Sequence, residues 1–199
     1  MSNGTSGDGN CCDFANPPRK FDRFTVAEDV AQAAFEAYKT IQYRDWVPLA
    51  MKERLLTLGV RMPSAEEVAK ARDFLAKAGK PKPTNVPEVY ARETILLSEM
   101  PPTRELKLQA IRVGGLGIAA IPCEVFGTTG LAIKRRSPLK PTFTIELANG
   151  YFGYIPPPEA HKLGGYTSWR ARSSCLEIEA EPRIFATILD LLTSVAKGR

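Results

Sequence analysis

The sequence has 199 residues, of which 44% are apolar and 25% are charged, a composition typical of a folded globular chain. The apolar residues come in short runs, well below the ~18 consecutive apolar residues that a membrane span requires, so we expect a soluble chain without a transmembrane segment. The net charge of +5 is scattered, and its densest run, Lys134-Arg135-Arg136, lies at a predicted helix end, where cations favour the helix dipole. This distribution argues against a nucleic-acid-binding protein.

The chain begins with about twenty residues rich in Gly, Ser, Asn and Pro, which predict a loop or disordered arm over 1–20. This segment has neither the basic region nor the apolar region of a secretory signal, so nothing in it indicates export and the cellular location stays unknown. Cys11, Cys12, Cys123 and Cys175 have neither zinc-knuckle spacing nor the spacing of a small disulfide-bonded fold. We therefore expect reduced thiols.

The first half of the chain predicts three helices and one strand. Helical spacing of apolar residues begins after Thr25, which is placed as an N-cap, and extends to about residue 41. Residues 47–61 alternate and favour a strand over a second amphipathic helix. Ser64 is a predicted N-cap of a helix that ends at Gly79, and a further helix is expected over 87–100, before two prolines.

The second half predicts strands interspersed with helices. Alternating residues over 105–121, interrupted by Gly114-Gly115, indicate a β-hairpin. A helix follows over 124–135, then a buried strand over 142–147 and a C-terminal helix over 181–197. This order predicts an α/β or α+β layered fold with a mixed β-sheet flanked by helices.

Polar and aromatic residues follow the ends of two of these strands. Glu124 lies where the hairpin's second strand passes into a helix, a position at which a carboxylate also stabilises the helix dipole by roughly 0.3–1 kcal/mol. The strand over 142–147 is followed by a segment that ends at Tyr154. Because α/β sheets place their sites just beyond strand ends, the two segments are expected to converge.

Three segments resemble the neutral and alkaline non-lysosomal ceramidases. Ile-Pro-Cys-Glu-Val-Phe (121–126) is similar to a family motif whose glutamate is a zinc ligand, and Leu-Ala-Asn-Gly-Tyr-Phe-Gly-Tyr (147–154) to one whose second tyrosine is a zinc ligand. Gly165-Tyr166 lies twelve residues beyond Tyr154, where the family has a tyrosine that helps to bind the scissile amide. The resemblance covers roughly residues 104–170.

The resemblance implies a role for three residues. Glu124 and Tyr154 are expected to bind zinc, and Tyr166 is expected to hydrogen-bond the oxygen on which charge develops. Zinc would acidify a bound water to a hydroxide that attacks the amide of a small-molecule or lipid substrate. The implied activity is zinc-dependent N-acyl amide hydrolysis, as in sphingolipid metabolism.

The sequence also departs from the family. A catalytic zinc generally has three protein ligands, and the family's two histidines have no counterpart here, since His161 is not at a ligand position. Gly-Thr-Ser-Gly-Asp-Gly-Asn (4–10) resembles the family's turn with the catalytic serine, but Asn10 stands at the serine's position and Ser6 lies on the other side of the Gly-Asp pair. We therefore expect residues 21–199 to be the C-terminal part of a ceramidase-like catalytic domain, with Met1 internal to it.

Two functions follow from these departures. The first is an incomplete amide hydrolase that is inactive alone or is completed by a complementing chain. The second is a non-catalytic interaction or structural protein that retains the hydrolase scaffold.

Overall fold

The structure, a computed structural model, describes residues 2–10, 12, 15–17, 21–79 and 81–197. These residues belong to two compact units, Met1–Gly9 with Leu49–Arg199, and Asn10–Pro48. The elements in chain order are α1 Arg23–Lys39, β1 Leu49–Gly59, α2 Ala65–Ala78, α3 Val86–Ser98, β2 Thr103–Val113, β3 Leu116–Ile121, β4 Glu124–Val125, α4 Gly127–Arg136, β5 Thr142–Glu146, β6 Tyr154–Ile155, α5 Pro158–Leu163, a 3-10 turn Tyr166–Ser168, and α6 Ala180–Lys197. Among the described residues, no helix is long and apolar enough to cross a membrane.

The smaller unit contains α1, whose N-terminus differs from the prediction. Asp22 is the N-cap, and its carboxylate accepts hydrogen bonds from the Phe24 and Thr25 backbone N–H groups at 3.0 and 2.9 Å. The Thr25 hydroxyl also donates to Asp22, at 3.0 Å. The prediction of Thr25 as the N-cap was therefore wrong. The Asp22 carboxylate binds the free N–H groups at the start of the helix, and Thr25 lies inside the first turn.

The larger unit is built on a four-stranded sheet in the order β1-β2-β3-β5. The first two pairs are antiparallel and the third is parallel, so the predicted mixed sheet and the hairpin at Gly114-Gly115 are confirmed. Residues 49–59 form a full strand, as predicted, and pair along their whole length with β2. The parallel pair requires a crossover, which α4 provides.

Helix α6 covers one face of the sheet and forms the core with it, and α4 packs against α6 and β5. The core consists of aliphatic side chains that alternate along the strands and recur on one side of α6, as the sequence predicted. The largest fully buried side chains among the described residues are Leu58, Leu97, Leu106, Leu108, Ile121, Ile133, Ile155, Ile184, Ile188, Leu192, Val125 and Val195.

Helix α2 has the predicted end signals. The Ser64 hydroxyl accepts from the Glu67 backbone N–H at 3.1 Å, and the Glu67 carboxylate accepts from the Ser64 N–H at 2.7 Å, which completes a capping box. Gly79 ends the helix at φ +61°, in the left-handed region where glycine has no side chain to strain. Helix α3 then packs against α2.

The opposite face of the sheet exposes a row of apolar side chains. Met51 is paired with Ile111, Ile111 with Ile118, and Ile118 with Phe143, so one apolar residue from each strand lies in the same row. Met51 is 52% exposed, and Leu55 further along β1 is 55% exposed. Exposed apolar side chains grouped on one face mark a candidate interaction surface.

Helix α4 begins later than predicted. Residues Glu124 and Val125 are not helical but form β4, which pairs in parallel with β6, and the helix starts only at Gly127. The backbone groups of these two residues bond to other segments and so cannot enter the helical hydrogen-bond pattern. This short pairing places the two ceramidase-like segments next to each other.

Candidate functional site

The site is built on the parallel pair of β4 and β6, in which Glu124 is paired directly with Tyr154. The Glu124 N–H donates to the Gly153 carbonyl at 2.9 Å. Gly153 has φ +70°, and a side chain there would overlap the Ser173 carbonyl. A glycine is therefore required at position 153, because the backbone there approaches the backbone of Ser173 too closely for a side chain.

The side chains of this pair lie within a cluster of tyrosines. The Tyr151 hydroxyl donates to Glu124 Oε1 at 3.1 Å, and the rings of Tyr154 and Tyr166 meet edge to face with centroids 5.5 Å apart. Burial, followed by hydrogen bonding to Glu124 and to Tyr166, raises the pKa of the half-buried Tyr154 hydroxyl. Burial and the bond to Glu124 also raise the pKa of Tyr151. Both phenols are therefore neutral donors at neutral pH.

The three residues predicted from the ceramidase resemblance are thereby brought together. Glu124 and Tyr154 are adjacent across the β4–β6 pair, and Tyr166 packs on Tyr154. Tyr166 is 57% exposed, so its hydroxyl is accessible to a ligand. The geometry does not by itself test the roles assigned to them, which stay predictions.

Arg61 anchors the loop that carries Tyr166. Its guanidinium donates to the Ser168 carbonyl at 2.7 Å and to the Leu176 carbonyl at 2.8 Å, and so joins the two ends of this loop. His161 lies on the short helix α5, in a half-buried position. Burial and then the charge of Arg61 lower the pKa of His161, which keeps the imidazole neutral at neutral pH.

The N-terminal loop packs against the backbone of β4. The Gly7 N–H donates to the Val125 carbonyl at 2.8 Å, and the Asp8 carboxylate accepts from the Gly127 N–H at 2.6 Å. Phe126, the N-cap residue of α4, makes no side-chain cap, so Asp8 supplies one from a distant part of the sequence. The Gly-Asp pair of the ceramidase-like turn thus lies beside Glu124.

The carboxylate of Glu146 joins this loop to β4, and sequence reasoning missed it. Glu146 is 3% exposed and accepts from the Val125 N–H at 2.9 Å, the Ser6 N–H at 3.1 Å and the Asn3 side-chain amide at 2.7 Å. The Ser6 hydroxyl also donates to it. Asn10, which stands at the serine's position in the resemblance, belongs to the other unit.

The cysteines have no metal-binding arrangement in the described residues. Cys12, Cys123 and Cys175 are free thiols, as predicted, and Cys11 lies outside the described part of the chain. Burial, and then the charges of Glu124 and Glu146, raise the pKa of Cys123. The thiol is neutral and is a poor ligand and nucleophile in that state.

The donors in this part of the chain do not make up a catalytic zinc site alone. Within the described residues, no three His, Cys, Asp or Glu side chains are grouped so that they could hold a metal. The site offers the Glu124 carboxylate and the neutral Tyr154 phenol, whereas a catalytic zinc takes three protein ligands and a water. A complete site would need donors from outside these residues.

The fold and site define a layered α/β protein with a carboxylate–tyrosine cluster beyond the sheet's strand ends. The sequence matches no protein-family profile and no curated protein, but solved ceramidase structures have a similar fold. The neutral ceramidase from Pseudomonas aeruginosa matches with a TM-score of 0.59 and 17% identity over 92% of this chain. A ceramidase complexed with C2 matches with a TM-score of 0.56 and 16% identity over 88% of it.

The chain spans 34% of the length of each of these ceramidase chains. The similarity confirms the predicted resemblance at the level of the fold and is consistent with a partial ceramidase-like domain. Similarity of fold does not identify the reaction, the metal or the substrate, because one fold supports many chemistries.

Proposed function

We propose that this chain is a ceramidase-like hydrolase scaffold that supplies one part of a site for N-acyl amide hydrolysis and is inactive alone. The observation that carries this proposal is the convergence of Glu124, Tyr154 and Tyr166 across the β4–β6 pair. These residues come from segments separated in sequence, and the same three positions carry the ceramidase resemblance. A layered fold similar to part of a ceramidase supports the same reading.

In this proposal the residues of the chain bind and orient the scissile group. The exposed Tyr166 hydroxyl donates a hydrogen bond to the acyl oxygen, where a donor stabilises developing negative charge. Tyr154 holds Tyr166 through its ring contact and orients the Glu124 carboxylate. Tyr151 donates to the same carboxylate and so restricts its rotation.

The substrate class is proposed to be a lipid or small-molecule amide, and the metal is proposed to be zinc. Glu124 and Tyr154 would be two of its ligands, and the remaining ligands would come from outside the described residues, on the same protein or on a complementing chain. Bound zinc would supply a water acidified to near-neutral pKa. The two donors present here do not support turnover by themselves.

Binding of an amide to Tyr166 tests the proposal without requiring turnover. A short-chain N-acylsphingosine is titrated below its micelle concentration into protein with ¹³Cζ-labelled tyrosine, and the NMR signals are assigned by Tyr166→Phe. We expect a saturable shift of the Tyr166 signal and none for Tyr43, which is 84% exposed and serves as the control for nonspecific binding. Free fatty acid and sphingosine serve as control compounds.

Two outcomes would contradict the proposal. An unchanged Tyr166 signal at saturating amide would remove the amide-binding role. Hydrolysis by the chain alone that is lost in Glu124→Gln would show that the site is complete within it, against the partial site proposed here.

The exposed sheet face favours a second candidate function, a non-catalytic interaction protein. The row from Met51 through Ile111 and Ile118 to Phe143 places apolar side chains next to one another on one face of the sheet. Met51→Lys is expected to abolish any self-association or partner capture measured by analytical ultracentrifugation, while Glu124→Gln leaves it unchanged. Loss of association in Glu124→Gln but not in Met51→Lys would reject this function.

A further inference from the structure

The buried carboxylate of Glu146 accepts four hydrogen bonds, all from uncharged groups. Oε2 accepts from the Val125 and Ser6 backbone N–H groups, at 2.9 and 3.1 Å. Oε1 accepts from the Asn3 side-chain amide at 2.7 Å and from the Ser6 hydroxyl. A buried carboxylate is costly unless its lone pairs are used, and here four donors stabilise it.

These bonds hold the backbone that carries Glu124. The N–H of Val125, the next residue, is bound by Glu146, and its carbonyl accepts from the Gly7 N–H at 2.8 Å. Gly7 directly follows Ser6, which Glu146 binds twice. The Glu146 carboxylate therefore holds the Val125 N–H directly, and it holds the Val125 carbonyl through the Ser6–Gly7 turn.

We propose that Glu146 is a positioning residue that sets the orientation of Glu124 by holding the Val125 N–H and the Asn3–Asp8 turn against β4. Its relevance to hydrolysis rests on the proposed function, whereas the positioning itself does not. The role proposed for Glu146 is structural, since Oε2 accepts from two backbone N–H groups that keep their protons.

A carboxamide replaces this carboxylate only in part. Glutamine has one acceptor oxygen in place of two, and that oxygen is uncharged. In one orientation its NH2 group meets the Val125 and Ser6 N–H groups, and in the other it meets the Asn3 side-chain amide. Glu146→Asp keeps both acceptors but shortens the side chain by one methylene. The pair of variants separates the chemistry of the carboxylate from its reach.

The test reads the contact between Tyr151 and Glu124 at neutral pH. The ¹³Cζ signal of Tyr151, assigned with Tyr151→Phe, reports the hydrogen bond that its hydroxyl donates to Glu124, and Glu124→Leu, which has no acceptor, gives the reference signal for its loss. We expect Glu146→Gln to shift the signal towards this reference, and Glu146→Asp to shift it by less. The Val125 amide is expected to exchange its proton faster in Glu146→Gln than in the wild-type chain, because its acceptor is then an uncharged amide oxygen or is lost.

Glu88→Gln is the matched control. Glu88 is also a buried glutamate, 4% exposed, and accepts from the Thr84 N–H at 2.6 Å, the Thr84 hydroxyl at 3.1 Å and the Asn85 side-chain amide at 2.9 Å. Glu88 lies on α3, and Glu88→Gln should lower the unfolding temperature without moving the Tyr151 signal. This control separates a loss of stability from a loss of positioning.

The proposal is overturned if folded Glu146→Gln keeps the wild-type Tyr151 signal, or if Glu88→Gln moves that signal as far. If Glu146→Gln does not fold, Glu146→Asp carries the test, and an unshifted Tyr151 signal in it overturns the proposal. Failure of amide binding at Tyr166 with an intact Glu146 effect would reject the hydrolase function alone. The two proposals therefore fail separately.

Discussion

A methyl group added at Gly7 should force the N-terminal loop away from the site. The Cβ of an alanine at this position would lie 2.5 Å from the Glu124 carbonyl oxygen and 2.8 Å from its carbonyl carbon. Both atoms are backbone, held in β4, and cannot move aside as a flexible side chain would. The loop must shift, and the Gly7 N–H bond to the Val125 carbonyl is lost with it.

The cost of Gly7→Ala follows from these two effects. Forcing an extra methyl group into a packed contact costs about 1–3 kcal/mol, and the lost hydrogen bond adds about 1 kcal/mol. We therefore expect the free energy of unfolding to fall by about 2–4 kcal/mol. Gly4→Ala is the matched control in the same loop, since a Cβ there would meet nothing within 4 Å, and it should change stability by less than about 0.5 kcal/mol.

Urea unfolding followed by circular dichroism measures both variants. The expected result is a lower midpoint for Gly7→Ala with an unchanged slope, and a wild-type midpoint for Gly4→Ala. Equal midpoints for the two variants would refute the packing of Gly7 on Glu124, and with it the position of the N-terminal loop.

Two carboxylates predict opposite dependences of stability on pH. Burial raises the pKa of Glu181 above its ordinary value of 4.5, so the free energy of unfolding should fall as the pH rises through this range, and Glu181→Gln should remove that fall and gain stability at pH 7 but not at pH 4. Hydrogen bonds from Arg172 lower the pKa of Glu93, so its stabilisation is present at neutral pH and is lost on acidification. Glu93→Gln should therefore be less stable than wild type at pH 7 and approach it at low pH. Thermal unfolding across this pH range measures both, and parallel curves for wild type and variant would contradict either prediction.

Local signals in the sequence were sufficient for most helix and strand positions. The capping box at Ser64 and the glycine at position 79 depend only on nearby residues, and both ends of α2 lie where these signals predict. Alternation also predicted β1, although the alternating Leu49, Met51 and Leu55 lie on its exposed face and the core residue Leu58 lies on the other. Asp22 and Thr25 are both suitable N-cap residues, and the sequence pattern did not show that Asp22 is the one that caps α1.

The site itself depends on contacts between distant parts of the chain. Glu124 and Tyr154 were recognised by motif, but their pairing in two-residue strands has no periodic signal to predict it. Glu146 was only the end of a predicted strand, because its partners Ser6 and Asn3 are 140 or more residues away in sequence. No local sequence pattern therefore predicts the hydrogen bonds between Glu146 and the N-terminal loop.

Zinc titration calorimetry on the purified chain tests the central claim, that Glu124 and Tyr154 form the metal-facing part of a hydrolase site. We expect one weak site whose affinity falls at least about tenfold in Glu124→Gln and in Tyr154→Phe. The affinity should be unchanged in Glu88→Gln, a change at the buried glutamate on α3. Zinc binding of equal strength in all four proteins would contradict the assignment of these two residues as ligands.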